Sequence, residues 1–206
     1  NNLIKNCINS KAKMDKIITE IIIPTIPHIQ KLFDDGKIGK SEEQLMTGII
    51  SNSLQMITYH AGHSDSGKNI IILSADSESI LSSESAAAAF RSQNWNVFSI
   101  GDISSSIDVL FDLELRKLLS KTWKSKDGVM IVLVFSQTEE GLKFISDSFY
   151  SVKEKSENNL FIVLSGKTGK KVKIKGDLSA SKLEDILQWS NTCLLYTSDA
   201  ADEHTG

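Results

Sequence analysis

Ile70-Ile71-Ile72-Leu73 runs into Ser74-Ala75-Asp76-Ser77-Glu78, restarts as Ile80-Leu81 and Ala86-Ala87-Ala88-Ala89-Phe90, and ends in Trp95-Asn96-Val97-Phe98-Ser99-Ile100-Gly101. The first run is apolar without alternation, which marks a strand covered on both faces. The alanine-rich stretch is a helix whose small side chains permit close approach to a sheet. Asn94 ends that helix, and Trp95–Gly101 is the next strand. A βαβ unit therefore occupies roughly 30 residues, the length such units need. Ligands of open α/β sheets bind beyond the carboxyl ends of the strands, so the loop Ser74–Ser79 is the first place to look for function.

The same alternation continues downstream. Val129-Met130-Ile131-Val132-Leu133-Val134-Phe135 and Leu160-Phe161-Ile162-Val163-Leu164 are two further buried strands. Lys171-Val172-Lys173-Ile174-Lys175 alternates strictly and suits a lysine-protected edge strand. Helical stripes separate them at Ile107–Leu119 and Leu142–Val152, and Leu183–Trp189 closes the series. The prediction is an α/β fold, a flavodoxin-like doubly wound sheet of five parallel strands in the order 2-1-3-4-5. In that order three loops share one crevice: Ser74–Ser79, Ser136–Glu140 and Ser165–Gly169.

Residues 1–62 carry helical spacing and no strand signal. Short helices are expected over Leu3–Ile8 and Met14–Ile22. Another follows Pro24 and Pro27 through His28–Phe33 and stops at Gly36, a good residue for a left-handed helix end. A fourth is capped by Ser41, with Gln44 completing a capping box, and continues through Leu45, Ile49, Leu54 and Ile57. The expected organisation is a four-helix bundle over 1–62, a polar linker at 63–68 and a flavodoxin-like domain over 69–191.

Cys193-Leu194-Leu195-Tyr196-Thr197-Ser198-Asp199-Ala200-Ala201-Asp202-Glu203 resembles the conceptual translation of a sequencing-library adapter, so 192–206 is expected not to pack. Without Asp199, Asp202 and Glu203 the 26 acids fall to 23, against 23 Lys and Arg. A neutral chain gives no global basic field for nucleic acid. Cys7 is then the one remaining cysteine, which excludes disulfide frameworks and CxxC metal sites. No apolar run reaches the roughly 18 residues of a membrane span, and a cytoplasmic location is expected.

Other chemistry finds little support. Gly67-Lys68 precedes a strand, whereas a phosphate loop follows one. His60 and His63 stand three apart with no cysteine or carboxylate in register, and His28 sits in a first turn. No Ser-His-Asp or Cys-His set falls on strand ends, so the chain is not expected to be an enzyme by itself.

A helical cap followed by such a sheet, with Trp95 closing its first helix, resembles the cobalamin-binding module. It is most similar to the version in MerR-type transcriptional regulators, including light-sensing repressors, and less so to corrinoid-dependent methyltransferases. The family's L-W-x-x-G-x-I segment and the Glu-His pair after it compare with Leu32-Phe33-Asp34-Asp35-Gly36-Lys37-Ile38 and Glu43-Gln44. The resemblance implies cobalamin as cofactor, with Phe33 over its upper face and Glu43 and Gln44 beside it.

It also implies a lower site around Asp76, Ser77, Ser79, Gly101, Ser136, Ser165 and Gly166. There the family has E/D-x-H-x-x-G, whose His binds cobalt from below. Counting back from Trp95 puts Ser79 at the His position, Ser77 at the acid and Ser82 at the glycine; a slip of one residue gives Glu78. Neither serine nor glutamate replaces an imidazole on cobalt. Ser136 and Gly166 match the residues that border the family's nucleotide tail, while Ser165 replaces a glycine.

The implied role is a sensory or regulatory domain with a His-less corrinoid site. It would be the effector part of a MerR-like regulator, homo-oligomeric, and would meet DNA only through an upstream segment. A corrinoid carrier of a methyltransferase system and a vestigial dimerisation module are the alternatives.

Overall fold

The computed structural model describes residues 6, 13–61, 67–106, 111–124, 126, 128–166 and 174–202. Apart from Asn6, the helix expected over Leu3–Ile8 lies outside them, as do most of the linker and Lys171–Lys173. The described cap consists of two helical runs. The first begins as α1 (Met14–Ile17), widens into a π-helical segment (Ile18–Ile22) and continues as α2 (Ile23–Asp34). The two helices predicted on either side of the prolines are therefore one.

The reason lies in backbone donors. Pro24 and Pro27 have no N–H to give the preceding turn. In the wider turn Ile23 N–H reaches back to Ile18 O, and the Thr25 hydroxyl donates to Ile21 O at 2.6 Å. The helix thus passes the prolines by changing hydrogen-bond register instead of stopping.

It stops at Gly36 as predicted. Gly36 adopts φ +67°, its N–H bonds Phe33 O, and Lys37 N–H bonds Leu32 O, which together form a Schellman end. The second run, α3 (Lys40–Ala61), starts one residue earlier than its predicted cap. Glu42, not Gln44, reaches back to an N–H, that of Gly39, at 2.8 Å. Gly39 stands where the helix begins, and it offers no side chain to compete for that bond.

The sheet is built from β1 (Lys68–Ser74), β2 (Asn96–Asp102), β3 (Val129–Ser136), β4 (Leu160–Gly166) and β5 (Leu178–Ser179). All pairings are parallel and the order is β2-β1-β3-β4-β5. Every residue of the central β3 is buried. Ile70 and Ile72 of β1 join the core on one face, while Ile71 and Leu73 join the core on the other. Unalternating strands and two-sided burial are the same fact.

The edge strand is not where the lysine alternation put it. Ile174 and Lys175 are in no strand, and β5 is two residues long. Asp177 takes over the exposed edge of β4: its Oδ2 accepts from Ile162 N–H at 2.7 Å and its own N–H donates to Ile162 O at 2.9 Å. One carboxylate satisfies backbone that a longer strand would otherwise have to pair.

On the first face lie α4 (Ile80–Ser92), the later helix α7 (Leu183–Asp202) and the cap; on the second lie α5 (Phe111–Thr122) and α6 (Glu139–Val152). Cap and sheet share apolar contacts without interruption. Ile18, Ile22, Leu54 and Ile57 meet the wholly buried Ala88, Ala89, Phe90 and Trp95 in one cluster. The four alanines leave room for this, since a larger side chain there would hold the cap away from the sheet. Phe90 and Trp95 stack edge to face at 5.2 Å.

At the start of the tail one residue is buried. α7 runs unbroken to Asp202, and Cys193 is buried, which together with Asp177 pushes its thiol up to about 11. No helix among the described residues is long and apolar enough to cross a membrane.

Candidate functional site

The carboxyl ends of β1 and β3 are joined through Asp76. The residue follows β1 in extended conformation at the head of a 3-10 turn (Ser77–Ser79) that leads into α4. Its Oδ1 accepts from Ser79 N–H at 3.0 Å. Its Oδ2 accepts from the Ser136 hydroxyl at 2.8 Å and from Gln137 N–H at 2.7 Å. Thr138 N–H in turn donates to Ser136 Oγ at 3.1 Å, and Thr138 caps α6 by accepting from Gly141 N–H at 3.2 Å. Burial raises the Asp76 pKa, but hydrogen bonds from Ser79, Ser136 and Gln137 outweigh it, and the carboxyl lies below its ordinary value.

Two measurable effects follow. Asp76→Asn removes the charge from these bonds, and unfolding at neutral pH should cost on the order of 1–2 kcal/mol less, allowing for screening at a part-exposed group. A depressed carboxyl contributes stability above its unfolded pKa of about 3.9 and loses it as pH falls through the folded value. The gap between wild type and Asp76→Asn should therefore be full above about pH 5 and close in acid below the ordinary aspartate range. Urea midpoints at neutral and acid pH would measure it, and a gap unchanged in acid would refute the role of the charge.

Above this junction lies a cavity of about 270 Å³ between cap and sheet. Its apolar wall is Ile23, Ile26 and Pro27 from α2, Phe135 from β3 and Leu183 from α7. Its polar wall is Ser79, Ser82, Gln137, Ser165 and Ser181, with Gly166 at the floor. Ser79 is 1% exposed, and its hydroxyl has no hydrogen-bond partner. It is close enough to Asp76 to stabilise the carboxylate, yet without the geometry of a bond.

The floor is tight because backbone meets backbone there. A Cβ on Gly166 would lie 1.9 Å from Ser136 O, so only glycine lets the end of β4 approach β3 this closely.

Of the residues singled out from sequence, Ser79, Ser165 and Gly166 line the cavity, and Asp76 and Ser136 support its rim. Ser77 is exposed beside them. Gly101 lies in β2, where the register with β1 shifts, and its φ of +80° serves that bulge. Phe33, Glu43 and Gln44 stand apart from the cavity. Lys40 Nζ is 5.2 Å from the Phe33 ring centre and 2.6 Å from Glu43 Oε2, while Gln44 is exposed.

Ile23, Ile26, Leu183 and Ser181 were not singled out. Nothing in their spacing separates a cavity wall from ordinary core; Pro24 and Pro27 were the one local sign of an unusual backbone.

A corrinoid ligated through the protein does not fit these residues. Among the described residues that line the cavity there is no imidazole, and the polar ones are serines and a glutamine. The opening between the ends of β1 and β3 is closed by Ala75 N–H on Phe135 O at 2.9 Å and by the bonds of Asp76. Among the described residues no three His, Cys, Asp or Glu side chains converge as a metal site. The wall does fit a neutral group held by apolar contact and hydrogen bonds.

The sequence matches no protein-family model and is not significantly similar to any curated protein. In structure the chain is similar to the monomethylamine corrinoid protein of Methanosarcina barkeri, with a TM-score of 0.66 at 14% identity over 92% of this chain and 88% of that one. A cobalamin-binding protein from Desulfitobacterium hafniense DCB-2 aligns over 93% of this chain and 89% of that one, at 13% identity and a TM-score of 0.45. The likeness to the first establishes the fold: a helical cap on a five-stranded parallel sheet, the architecture of a corrinoid protein.

Proposed function

We propose that this chain is a sensory or regulatory domain of the cobalamin-binding type, in which a corrinoid binds between cap and strand ends without a cobalt ligand from the protein. The observation that carries this reading is the cavity itself. It is walled by α2 of the cap and floored by the ends of β3 and β4. A ligand there touches both parts of the molecule, and binding that favours one placement of the cap shifts the population toward it.

The closed junction at Asp76 supports a base-on mode. A corrinoid with its own base still on the metal needs no opening between β1 and β3. At about 270 Å³ the cavity is below the roughly 300–1,000 Å³ of typical ligand sites, so such a ligand enters only as α2 moves outward. The role is regulatory rather than catalytic, in an intracellular, MerR-like setting where a separate segment contacts DNA and the domain self-associates.

Titration with hydroxocobalamin and adenosylcobalamin tests the proposal. Corrinoid retained through gel filtration, with the spectrum of a base-on species, is the expected result. No retention and no absorbance change would remove cobalamin from the account.

A second reading has one observation in its favour. Because Asp76 already bridges the two loops, the fold can persist with no ligand and serve as an interaction module. An oligomer that stays intact and ignores every corrinoid supplied would select that reading.

A further inference from the structure

We infer that the outer face of α3 is the surface through which two copies of this chain associate, helix against antiparallel helix. This rests on the proposed self-association and names where it occurs. α3 carries two apolar stripes at helical spacing. Ile50, Leu54 and Ile57 form the inner one and are buried in the core shared with the sheet. Leu45, Ile49, Met56 and Tyr59 form the outer one, with Asn52 in its middle. Leu45 is 65% exposed, Ile49 49% and Tyr59 85%. Steps of four and three residues keep these five positions on one side of the helix, over a length of about 21 Å. One stripe is enough to hold a helix to its core, and a second that faces outward marks a contact surface.

Charge narrows the choice of occupant. From Gln44 to Tyr59 the helix contains no Asp, Glu, Lys, Arg or His, although 24% of the whole chain is Asp, Glu, Lys or Arg. Nucleic acids and anionic lipid surfaces are held through Lys and Arg, which the stripe lacks. Apolar residues in a charge-depleted surround are instead the composition of the middle of a protein contact. The face that matches an uncharged apolar stripe is another of the same kind, and a second copy supplies it.

The ends of the stripe set the direction. Glu42 and His60 stand a whole number of turns apart, on the same side of α3 and at its opposite ends. Two-fold antiparallel pairing brings Glu42 of each copy to the level of His60 in the other. It also opposes the two helix dipoles and sets Asn52 against its counterpart, amide to amide. Parallel pairing would set Glu42 against Glu42, a repulsion with nothing to offset it. Area sets the strength. A contact of that length and one helix wide covers roughly 200 Å² a side, against about 800 Å² for a standard interface, so the pairing is weak and concentration-dependent.

Sedimentation velocity of the full chain, from micromolar to near-millimolar concentration, tests this. A monomer–dimer equilibrium with a dissociation constant on the order of 100 µM is the expected result. Ile49→Glu and Tyr59→Glu should each weaken it at least tenfold and leave the melting temperature unmoved. Leu113→Glu, at an equally exposed apolar residue on α5, should leave association unchanged. Under oxidation, Leu45→Cys mixed with Tyr59→Cys should give a cross-linked pair absent from wild type, and Leu45→Cys alone should not.

A dimer indifferent to Ile49→Glu and Tyr59→Glu would overturn the inference, as would Leu45→Cys cross-linking to itself. So would a chain that stays monomeric throughout. In that case a melting temperature lowered by several degrees in Ile49→Glu would assign the stripe to residues 1–12 of the same chain, and an unmoved one to a different protein. Corrinoid retained by a monomer would sink this inference and leave the proposed ligand standing. A dimer that Ile49→Glu dissociates, and that takes up no corrinoid, would do the reverse.

Discussion

Ile57→Ala should lower the melting temperature of the whole protein in a single transition, by roughly 5–15 °C. Ile57 is fully buried on α3 and packs in the cluster that holds α4 against the sheet. Truncating such a side chain costs about 2–5 kcal/mol, the lost transfer energy plus the cavity left behind. In a chain of this length 1 kcal/mol moves the midpoint by roughly 2–4 °C.

The more informative part is the shape of the transition. Ile18, Ile22, Leu54 and Ile57 join the residues of the sheet in one unbroken core, so cap and sheet are expected to melt together. Calorimetry showing an early cap transition, with the later one unmoved by the substitution, would refute this. It would also weaken the proposed coupling between ligand and cap, because a cap that moves independently of the core cannot report on the cavity.

Gly166→Ala should be of similar size and should act at the site. The added Cβ would lie 1.9 Å from Ser136 O and 3.3 Å from Leu142 Cδ1. The first neighbour is backbone on the central strand and cannot rotate away, so the ends of β3 and β4 must separate. Overpacking of this kind costs about 1–3 kcal/mol and more where backbone must shift. Ser136 moves with its strand, so its hydrogen bond to Asp76 should lengthen and the floor of the cavity should open. Denaturant midpoints together with amide exchange at Gln137 and Ser79 would measure both effects. A variant as stable as wild type, with those amides equally protected, would show that the close approach is not needed.

The strands were legible because double burial leaves its own mark on sequence. Ile70–Leu73, Val129–Phe135 and Leu160–Leu164 are continuous apolar runs, and each is a strand inside the sheet. Asn94 was legible as a helix end because few residues accept its φ of +62°. Features that depend on what a segment meets were less so. Lys171–Lys175 alternates like an edge strand, yet the edge of β4 is partly satisfied by the side chain of Asp177. Pro24 and Pro27 have the local signature of a break, which packing of Ile18, Ile22 and Ile29 against the core overrides. Cys193 belongs to a segment expected to hang free, and α7 carries it into the core.

The candidate site divides along the same line. Its loops could be named in advance, because parallel strands in the order 2-1-3-4-5 bring particular carboxyl ends together whatever side chains they carry. That Asp76 would bond Ser136 and Gln137, about sixty residues away, is beyond any local pattern. That Ser79 would be almost wholly buried depends on packing from elsewhere in the chain.

Sequence by itself determined β1 to β4 and the parallel order of the sheet, since these follow from local burial and residue identity. Only the tertiary structure decided that the cap continues through its prolines into the core of the sheet, that a carboxylate closes the opening between β1 and β3, and that the end of β4 approaches β3 closely enough to require Gly166. Those are contacts between segments far apart in the chain, and packing sets them, not periodicity.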